Sequence, residues 1–234
     1  MMRKTLFTGL LAAVMAVASA APAQAQVTQS INLGLGWFMV KGEDSRDNDV
    51  LVENLQSLAF EIKDFNGPLL NGEWLIGFGD RLEFGVGAGF YQRTVPSVYA
   101  DFVDSDGSEI EQDLKLRIIP ITAPVKFLPI GRAGDFQPYV GAGAALLNWK
   151  YSEVGEFVDF SDGAIFRDTY VADGTTVAPI VFGGIRLPLN GDVFAFNGEL
   201  RWQGGKGDTS GAQLLADEIQ LGGVSFIASV QIRF

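Results

Sequence analysis

Charged side chains recur inside segments that are otherwise built from alternating apolar and small residues. A charge enclosed by apolar groups has to pair with an opposite charge or take part in chemistry, because its desolvation is costly. The alternation turns one set of charges to a single side: Glu73, Glu83, Arg93, Lys126, Arg186, Glu199, Arg201 and Arg233. Glu199 and Arg201 are two residues apart, so an extended strand presents both on the same face.

This set of acids and bases has two interpretations. The charges either pair into a plug that fixes the register of neighbouring strands, or they line a path for small solutes, protons or ions. The chain is predicted to form eight strands around these charges. The interior of an eight-stranded barrel has room for little more than side chains, which favours the plug. The spacing of the residues names the members of the network but does not predict which pairs form.

Enzymatic chemistry has little support, since the chain contains no His and no Cys. A Ser nucleophile would lack its usual base, and no thiol nucleophile exists. The glycine-rich stretch Gly85–Gly89 lies in the middle of a predicted strand and does not open a helix, as a phosphate-binding loop would. We therefore predict a protein without enzymatic activity, catalytic residues or a cofactor.

One acidic stretch partly resembles a calcium-binding loop. Asp104, Asp106 and Glu109 supply oxygen atoms at nearly alternating positions, but the full pattern of a calcium loop is missing. The simpler interpretation is a solvated acidic loop, and we predict no dedicated metal site. Alternatively, divalent cations bridge these carboxylates to the phosphates of lipopolysaccharide.

The first 25 residues have the pattern of a cleaved signal peptide. Arg3 and Lys4 precede the uncharged run Thr5–Ala18, and Ala23 and Ala25 form a small-x-small cleavage site. The run is too short to span a bilayer, although an N-terminal anchor helix is the alternative. We expect a mature domain at 26–234. The net charge of −11, which becomes −13 without Arg3 and Lys4, argues against nucleic acid as a partner.

Eight segments of the mature chain alternate with the period of a β-strand. They are Ser30–Val40, Pro68–Phe78, Leu82–Val95, Asp113–Leu128, Phe136–Tyr151, Gly174–Leu187, Val193–Gln203 and Gly222–Phe234. The connections are alternately long and short, and Asn190–Asp192 has the composition of a hairpin turn. This pattern predicts an all-β fold, an eight-stranded antiparallel transmembrane β-barrel with tight turns at one end and longer loops at the other.

The first long connection, Lys41–Gly67, is predicted to carry a short helix. Apolar residues recur there at helical spacing, at Leu51, Leu55, Leu58 and Ile62. Asn48 or Asp49 is placed to cap this helix, which we expect to pack on the barrel mouth; a partner-binding helix is the alternative. The other long connections are predicted to be polar loops: Tyr99–Gln112, Ser152–Asp173 and Gly204–Glu218.

The strand that ends near Leu128 alternates less cleanly than the others. When the apolar face is continued toward the start of the strand, Lys115 and Arg117 fall on the outer side. Either the strand rises beyond the lipid there, or a bulge near Pro120 resets its register.

Aromatic residues are predicted to form two belts on the outer, apolar face. Trp37, Trp74, Trp149 and Trp202 are assigned to the long-loop rim, and Phe78, Phe84, Phe127, Tyr139, Phe194 and Phe234 to the tight-turn rim. A secreted soluble barrel with its apolar faces inward is the alternative.

The last strand, with the sequence SFIASVQIRF, resembles the closing strand of small eight-stranded outer-membrane barrels of the OmpA/OmpX and OmpW-like kind. The segment Ile119–Phe127 is similar to the fourth strand of that family. The resemblance implies an outer-membrane location, lipopolysaccharide and lipid as surroundings, and a monomer. It also implies an assembly signal, at Phe226, Ile232 and Phe234, that the barrel-assembly machinery reads.

The family resemblance leaves the biological role open. A bare barrel of this kind, without a peptidoglycan-binding domain after it, implies a structural or surface-presenting role. One alternative is a small-solute channel or transporter of the OmpW-like type. The other is an adhesion or binding module that acts through the helix-bearing connection Lys41–Gly67.

Overall fold

The computed structural model describes residues 27–189 and 193–234. The predicted signal peptide and the Asn190–Asp192 turn lie outside the described residues. The described residues form ten strands: β1 (Thr28–Val40), β2 (Gly67–Phe78), β3 (Leu82–Val103), β4 (Glu109–Phe127), β5 (Gln137–Val158), β6 (Ile165–Pro188), β7 (Phe194–Gln203), β8 (Lys206–Asp208), β9 (Glu218–Gln220) and β10 (Gly223–Arg233).

Eight of these strands close into one antiparallel barrel in the order β1-β10-β7-β6-β5-β4-β3-β2, and β8 and β9 form a separate two-stranded sheet. The closing pair joins β1 to β10 and runs from Ser30 opposite Arg233 to Val40 opposite Gly223. Closure satisfies the backbone groups that an open sheet edge would leave unpaired. The predicted eight-stranded antiparallel barrel is therefore confirmed. No helix in the described part of the chain has the length and apolar character needed to cross a bilayer.

The barrel wall is much taller on one side than on the other. Strands β5 and β6 contain 22 and 24 residues, whereas β7 and β10 contain 10 and 11. The extra length corrects two loop predictions. Tyr99–Gln112 and Ser152–Asp173 mostly continue the β3–β4 and β5–β6 hairpins, and the ladder between β5 and β6 continues without interruption to Val158 opposite Ile165.

The structure also decides between the two alternatives for β4. The strand pairs continuously with β5 from Gln112 to Phe127, and its register with β3 is the same on both sides of Pro120. The alternative of a bulge near Pro120 is therefore wrong. The strand instead continues beyond the level of the short strands, and Lys115 points outward into solvent there.

Two loops fill the gap above the short strands, and together we call residues 41–66 and 204–222 the cap. The cap contains helix α1 (Val50–Asn54), 3₁₀ turns at Glu43–Ser45 and Ile62–Phe65, and the β8–β9 hairpin. Asp49 caps α1 by accepting a hydrogen bond from the Leu51 backbone N–H at 2.9 Å. Its other oxygen accepts from the Gln220 N–H at 2.5 Å, so one carboxylate joins the two loops.

The predicted short helix is thus present, and Asp49 rather than Asn48 caps it. The Gly204–Glu218 connection is not a simple polar loop, because it contains β8 and the first residue of β9, which pair as a hairpin.

The outer face of the lower barrel is apolar, and Trp37, Trp74 and Trp202 expose 44–50% of their surface there. The prediction for Trp149 is wrong: its side chain is 2% exposed and lies inside the barrel. Tyr139, assigned to the tight-turn rim, is also buried inside. Trp74 pairs with Ile31 and Val86, which places it nearer the tight turns than the long loops.

The position of each tryptophan can be measured with brominated lipids, which quench only the indoles that contact acyl chains. A variant that keeps Trp149 alone (Trp37→Phe, Trp74→Phe, Trp202→Phe) is expected to retain nearly all its fluorescence in brominated vesicles. The Trp149→Phe variant, which keeps the three outer indoles, is expected to lose most of it. Strong quenching of Trp149 would place β5 with the opposite face outward.

Candidate functional site: the closed interior and the cap

The middle of the barrel interior contains a cluster of four buried charges. Lys126 Nζ lies 2.7 Å from Glu73 Oε2 and 3.2 Å from Glu199 Oε2. Arg201 Nη2 lies 2.5 Å from Glu73 Oε1 and 2.5 Å from Glu199 Oε1. Each base contacts both acids, so the two positive and two negative charges balance within one network. We call these residues the central cluster.

Neutral groups complete the central cluster. The Tyr139 hydroxyl donates to Glu199 Oε2 at 3.0 Å, and Arg201 Nη1 donates to Asn71 Oδ1 at 3.3 Å. The Lys126 ammonium also lies 4.9 Å from the centre of the Tyr139 ring and 5.4 Å from that of Phe182. Tyr139 thus lies inside the barrel and donates a hydrogen bond to the cluster. The sequence-based assignment of Tyr139 to the outer face missed this role.

A second group of charges lies toward the tight turns. Arg186 makes a two-pronged contact with Glu83, at 2.8 and 2.7 Å. Arg132 Nε lies 3.2 Å from the same carboxylate, and its Nη1 donates to the Gly79 carbonyl at 2.6 Å. Arg132 was missed because it lies in the short connection between the predicted strands Asp113–Leu128 and Phe136–Tyr151. Gly77 makes room for it, since a Cβ there would lie 2.0 Å from Arg132 Nη2.

Six of the eight predicted network residues therefore belong to these two groups, and the other two lie elsewhere. Arg93 is exposed near the cap, where its Nε donates to the Asp64 carbonyl at 2.8 Å. Arg233 is partly exposed at the opposite end of the barrel. Of the predicted assembly residues, Phe226 and Ile232 point outward from β10 and Phe234 directly follows that strand; all three have 39–66% of their surface exposed.

Apolar side chains fill the interior above the charges and join the barrel to the cap. The buried set includes Leu51, Leu58, Phe65, Leu114, Leu116, Ile118, Trp149, Tyr151 and Ile219. The cavity next to Arg201, between Phe38, Tyr91 and Pro120, has a volume of about 20 Å³. That is room for about one water molecule. Charges below and apolar side chains above thus leave little free space along this part of the interior.

The charged groups of the interior form an ion-pair network. Every acid of the two clusters has a basic partner within 3.2 Å. Among residues 27–189 and 193–234, no three His, Cys, Asp or Glu side chains are grouped to hold a metal ion. In the acidic stretch that resembles a calcium loop, Asp106 Oδ1 accepts from the Ser108 N–H at 2.9 Å. That carboxylate thus stabilises the hairpin turn.

One further buried carboxylate lies outside these clusters, in the upper part of β5. Glu153 is 4% exposed, and its Oε1 accepts from Asn54 Nδ2 at 2.5 Å and from the Tyr151 hydroxyl at 2.9 Å. Burial raises the pKa of Glu153, while the hydrogen bonds from Asn54 and Tyr151 act in the opposite direction. Sequence reasoning missed this residue because it lay in a predicted loop.

The raised pKa of Glu153 gives stability a defined pH dependence. The folded protein holds the proton more tightly than the unfolded chain, so the stabilisation is complete below the unfolded pKa and is lost as pH rises through the folded pKa. We expect Glu153→Gln to be more stable than the native protein at pH 8 and to match it below about pH 4. Urea unfolding at both pH values measures this difference, and a variant that is less stable at pH 8 would contradict it.

Comparison with known proteins identifies the fold. No family model matches the sequence, and no curated protein matches it. The crystal structure of the outer membrane protein OprG from Pseudomonas aeruginosa matches with a TM-score of 0.53 and 11% identity, over 88% of this chain and 95% of that one. Ail, the attachment invasion locus protein of Yersinia pestis, matches with a TM-score of 0.42 and 14% identity, over 89% and 99%. The chain has the fold of the small eight-stranded outer-membrane β-barrels.

Proposed function

We propose that this chain is an integral protein of the bacterial outer membrane, acts without catalysis, and combines a sealed barrel with a folded surface cap. The observation that carries the proposal is the interior, where the central cluster is charge-balanced and the adjoining cavity holds about 20 Å³. Such an interior stabilises the wall but offers small solutes no continuous path. The protein's contribution is then structural, together with the surface that it presents.

The height of the apolar band supports the membrane location. Eight residue steps separate Gln29 from Trp37 along β1, and a strand tilted by about 40° rises about 20 Å over that distance. The outer face between them carries Ile31, Leu33 and Leu35, all at least 39% exposed. This band is close to the apolar height of about 25 Å that is typical of outer-membrane barrels. The lipid around it includes lipopolysaccharide on the outer side, and the protein inserts as a monomer.

Single-cysteine labelling tests both the location and the orientation, because the native chain has no cysteine. Ser161 lies exposed between β5 and β6, and Ala133 lies exposed at the tight-turn end. In intact cells, a membrane-impermeant maleimide is expected to label Ser161→Cys but not Ala133→Cys. Both variants are expected to react after the outer membrane is permeabilised.

Two results would contradict the proposal. Recovery of the protein in the soluble periplasmic fraction, without heat-modifiable mobility on a gel, would exclude an integral barrel. Labelling of Ala133→Cys in place of Ser161→Cys in intact cells would reverse the orientation and move the cap to the periplasm.

A further inference from the structure

A cavity of about 220 Å³ opens between the tall hairpins and the cap. Strand β5 contributes Glu153 and Phe157 to its lining, β6 contributes Phe166 and Tyr170, and the cap contributes Asn54 and Leu214. A buried carboxylate and several aromatic rings therefore line the same cavity. This combination lies outside the central cluster and plays no part in closing the barrel.

No cation of residues 27–189 or 193–234 pairs with the carboxylate of Glu153. Both of its hydrogen bonds come from neutral groups and converge on Oε1. Within the described residues, Oε2 accepts no hydrogen bond and no Lys or Arg lies within salt-bridge distance of Glu153. A buried carboxylate of this kind costs stability unless a cation pairs with it. The contrast with Glu73 and Glu199, each contacted by two bases, marks Glu153 as a site that an external cation would complete.

The walls of the cavity suit an organic cation better than a metal ion. Phe157 packs edge-on against Tyr170 at 4.8 Å and stacks with Phe166 at 5.9 Å, so the rings form one continuous aromatic wall. Aromatic faces attract ammonium groups through the ring quadrupole, and most strongly where water is excluded. Glu153 supplies the only carboxylate among the described residues that line the cavity, whereas tight calcium sites in proteins use several carboxylates.

The hairpins around the cavity carry an excess of acids, which favours the same class of ligand. Tyr99–Gln112 contains five acids and no base, and Ser152–Asp173 contains five acids besides Glu153 and one base. That base, Arg167, is paired with Glu156 at 3.0 Å. The resulting negative field attracts cations and repels anions such as phosphates.

We propose that this cavity binds a small organic cation, an alkylated or methylated ammonium compound, with Glu153 as counter-ion and the aromatic wall against its alkyl groups. The neutral hydrogen bonds from Asn54 and Tyr151 hold the carboxylate in place. The free cation fits the site better than a phosphorylated headgroup, because a phosphate would meet the acidic hairpins. The proposal goes beyond the sealed barrel and does not depend on it.

Calorimetric titration with choline tests the proposal on the full mature protein folded in octyl glucoside. Choline is expected to bind with a dissociation constant in the millimolar range or tighter. Its uncharged carbon isostere, 3,3-dimethyl-1-butanol, has the same shape without the charge and is expected to bind at least tenfold more weakly. Phosphocholine is expected to bind at least tenfold more weakly as well, which separates the free cation from a lipid headgroup.

Variants identify the site. Glu153→Gln is expected to weaken choline binding at least tenfold, whereas Glu43→Gln, which removes the same charge from an exposed position in the cap, is expected to change it less than twofold. Phe160→Leu keeps an apolar side chain at the exposed cavity mouth but removes its ring, and is expected to weaken binding several-fold. Native affinity in Glu153→Gln, equal binding of the isostere, or no binding of choline would each overturn the proposal.

Discussion

Lys126→Met is expected to lower the free energy of unfolding by about 3–5 kcal/mol, the cost typical of removing one partner from a buried ion pair. The ammonium lies between Glu73 and Glu199 at 2.7 and 3.2 Å, and its side chain is 1% exposed. Methionine fills similar volume but leaves two carboxylates facing Arg201 alone. The apolar core above the cluster separates the uncompensated charge from water on the cap side.

Two further variants separate charge from packing. The double variant Lys126→Met/Glu73→Gln keeps one acid opposite Arg201 and is expected to regain much of the lost stability. Lys150→Met removes a lysine from the exposed outer face of β5 and is expected to change stability by less than about 0.5 kcal/mol. Urea unfolding in lipid vesicles, followed by tryptophan fluorescence, measures all three. A Lys126→Met value within about 1 kcal/mol of the native protein would show that the cluster does not enclose its charges.

Leu33→Arg is expected to be the next most costly change, at about 2–4 kcal/mol, the range measured for arginine at the bilayer midplane of such barrels. Leu33 is 63% exposed on the outer face of β1, four residues from Trp37 on one side and four from Gln29 on the other. A guanidinium there has only acyl chains around it, and its side chain has to extend a long way to reach the interface.

The matched control for Leu33→Arg is Val154→Arg. Val154 also points outward from the barrel and is 44% exposed, but it lies in the upper part of β5, above the apolar band. Arginine is expected to cost at most about 1 kcal/mol there, since the depth-dependent penalty vanishes outside the hydrocarbon. Equal costs at the two positions would show that the outer face of β1 is not covered by lipid.

The wrong prediction for Trp149 shows that the alternation within one strand does not identify which of its faces points into the barrel. Tyr139, Leu147, Trp149 and Tyr151 alternate with Asn148 and Lys150, which correctly separates two faces but does not identify the inner one. In the membrane an apolar face points outward to lipid, whereas above the membrane an apolar face points inward to a core. β5 crosses from one environment to the other, and its upper part packs against the cap, so its apolar face is the inner one.

The lengths of the tall strands were underestimated for a related reason. The acidic positions of Ser152–Asp173 look like a solvated loop because charge is typical of loops. In a strand above the membrane, however, the outer face is solvated, and a ladder such as Glu156 opposite Arg167 extends into water without cost. The sequence pattern that still indicates a strand there is the set of inward apolar residues, such as Phe157 and Tyr170.

For the interior, the sequence predicts most members of the charge network but not which of them pair. Strand parity alone identified Glu73, Lys126, Glu199 and Arg201 as inward charges, because position along a strand fixes the face. Their pairing depends on which strands face each other across the barrel: β4 brings Lys126 to Glu73 on β2, and no sequence spacing encodes that distance. Arg132 reaches Glu83 from a turn, where side-chain direction has no period at all.

Single-channel recording in planar bilayers tests the central claim, the sealed interior, most directly. Vesicles are first shown to carry the heat-modifiable, folded protein, and are then fused to the bilayer in 1 M KCl. The native protein is expected to give no stepwise openings. Reproducible openings that disappear when Glu199 and Arg201 are replaced would contradict the sealed interior and establish a conducting path through the central cluster.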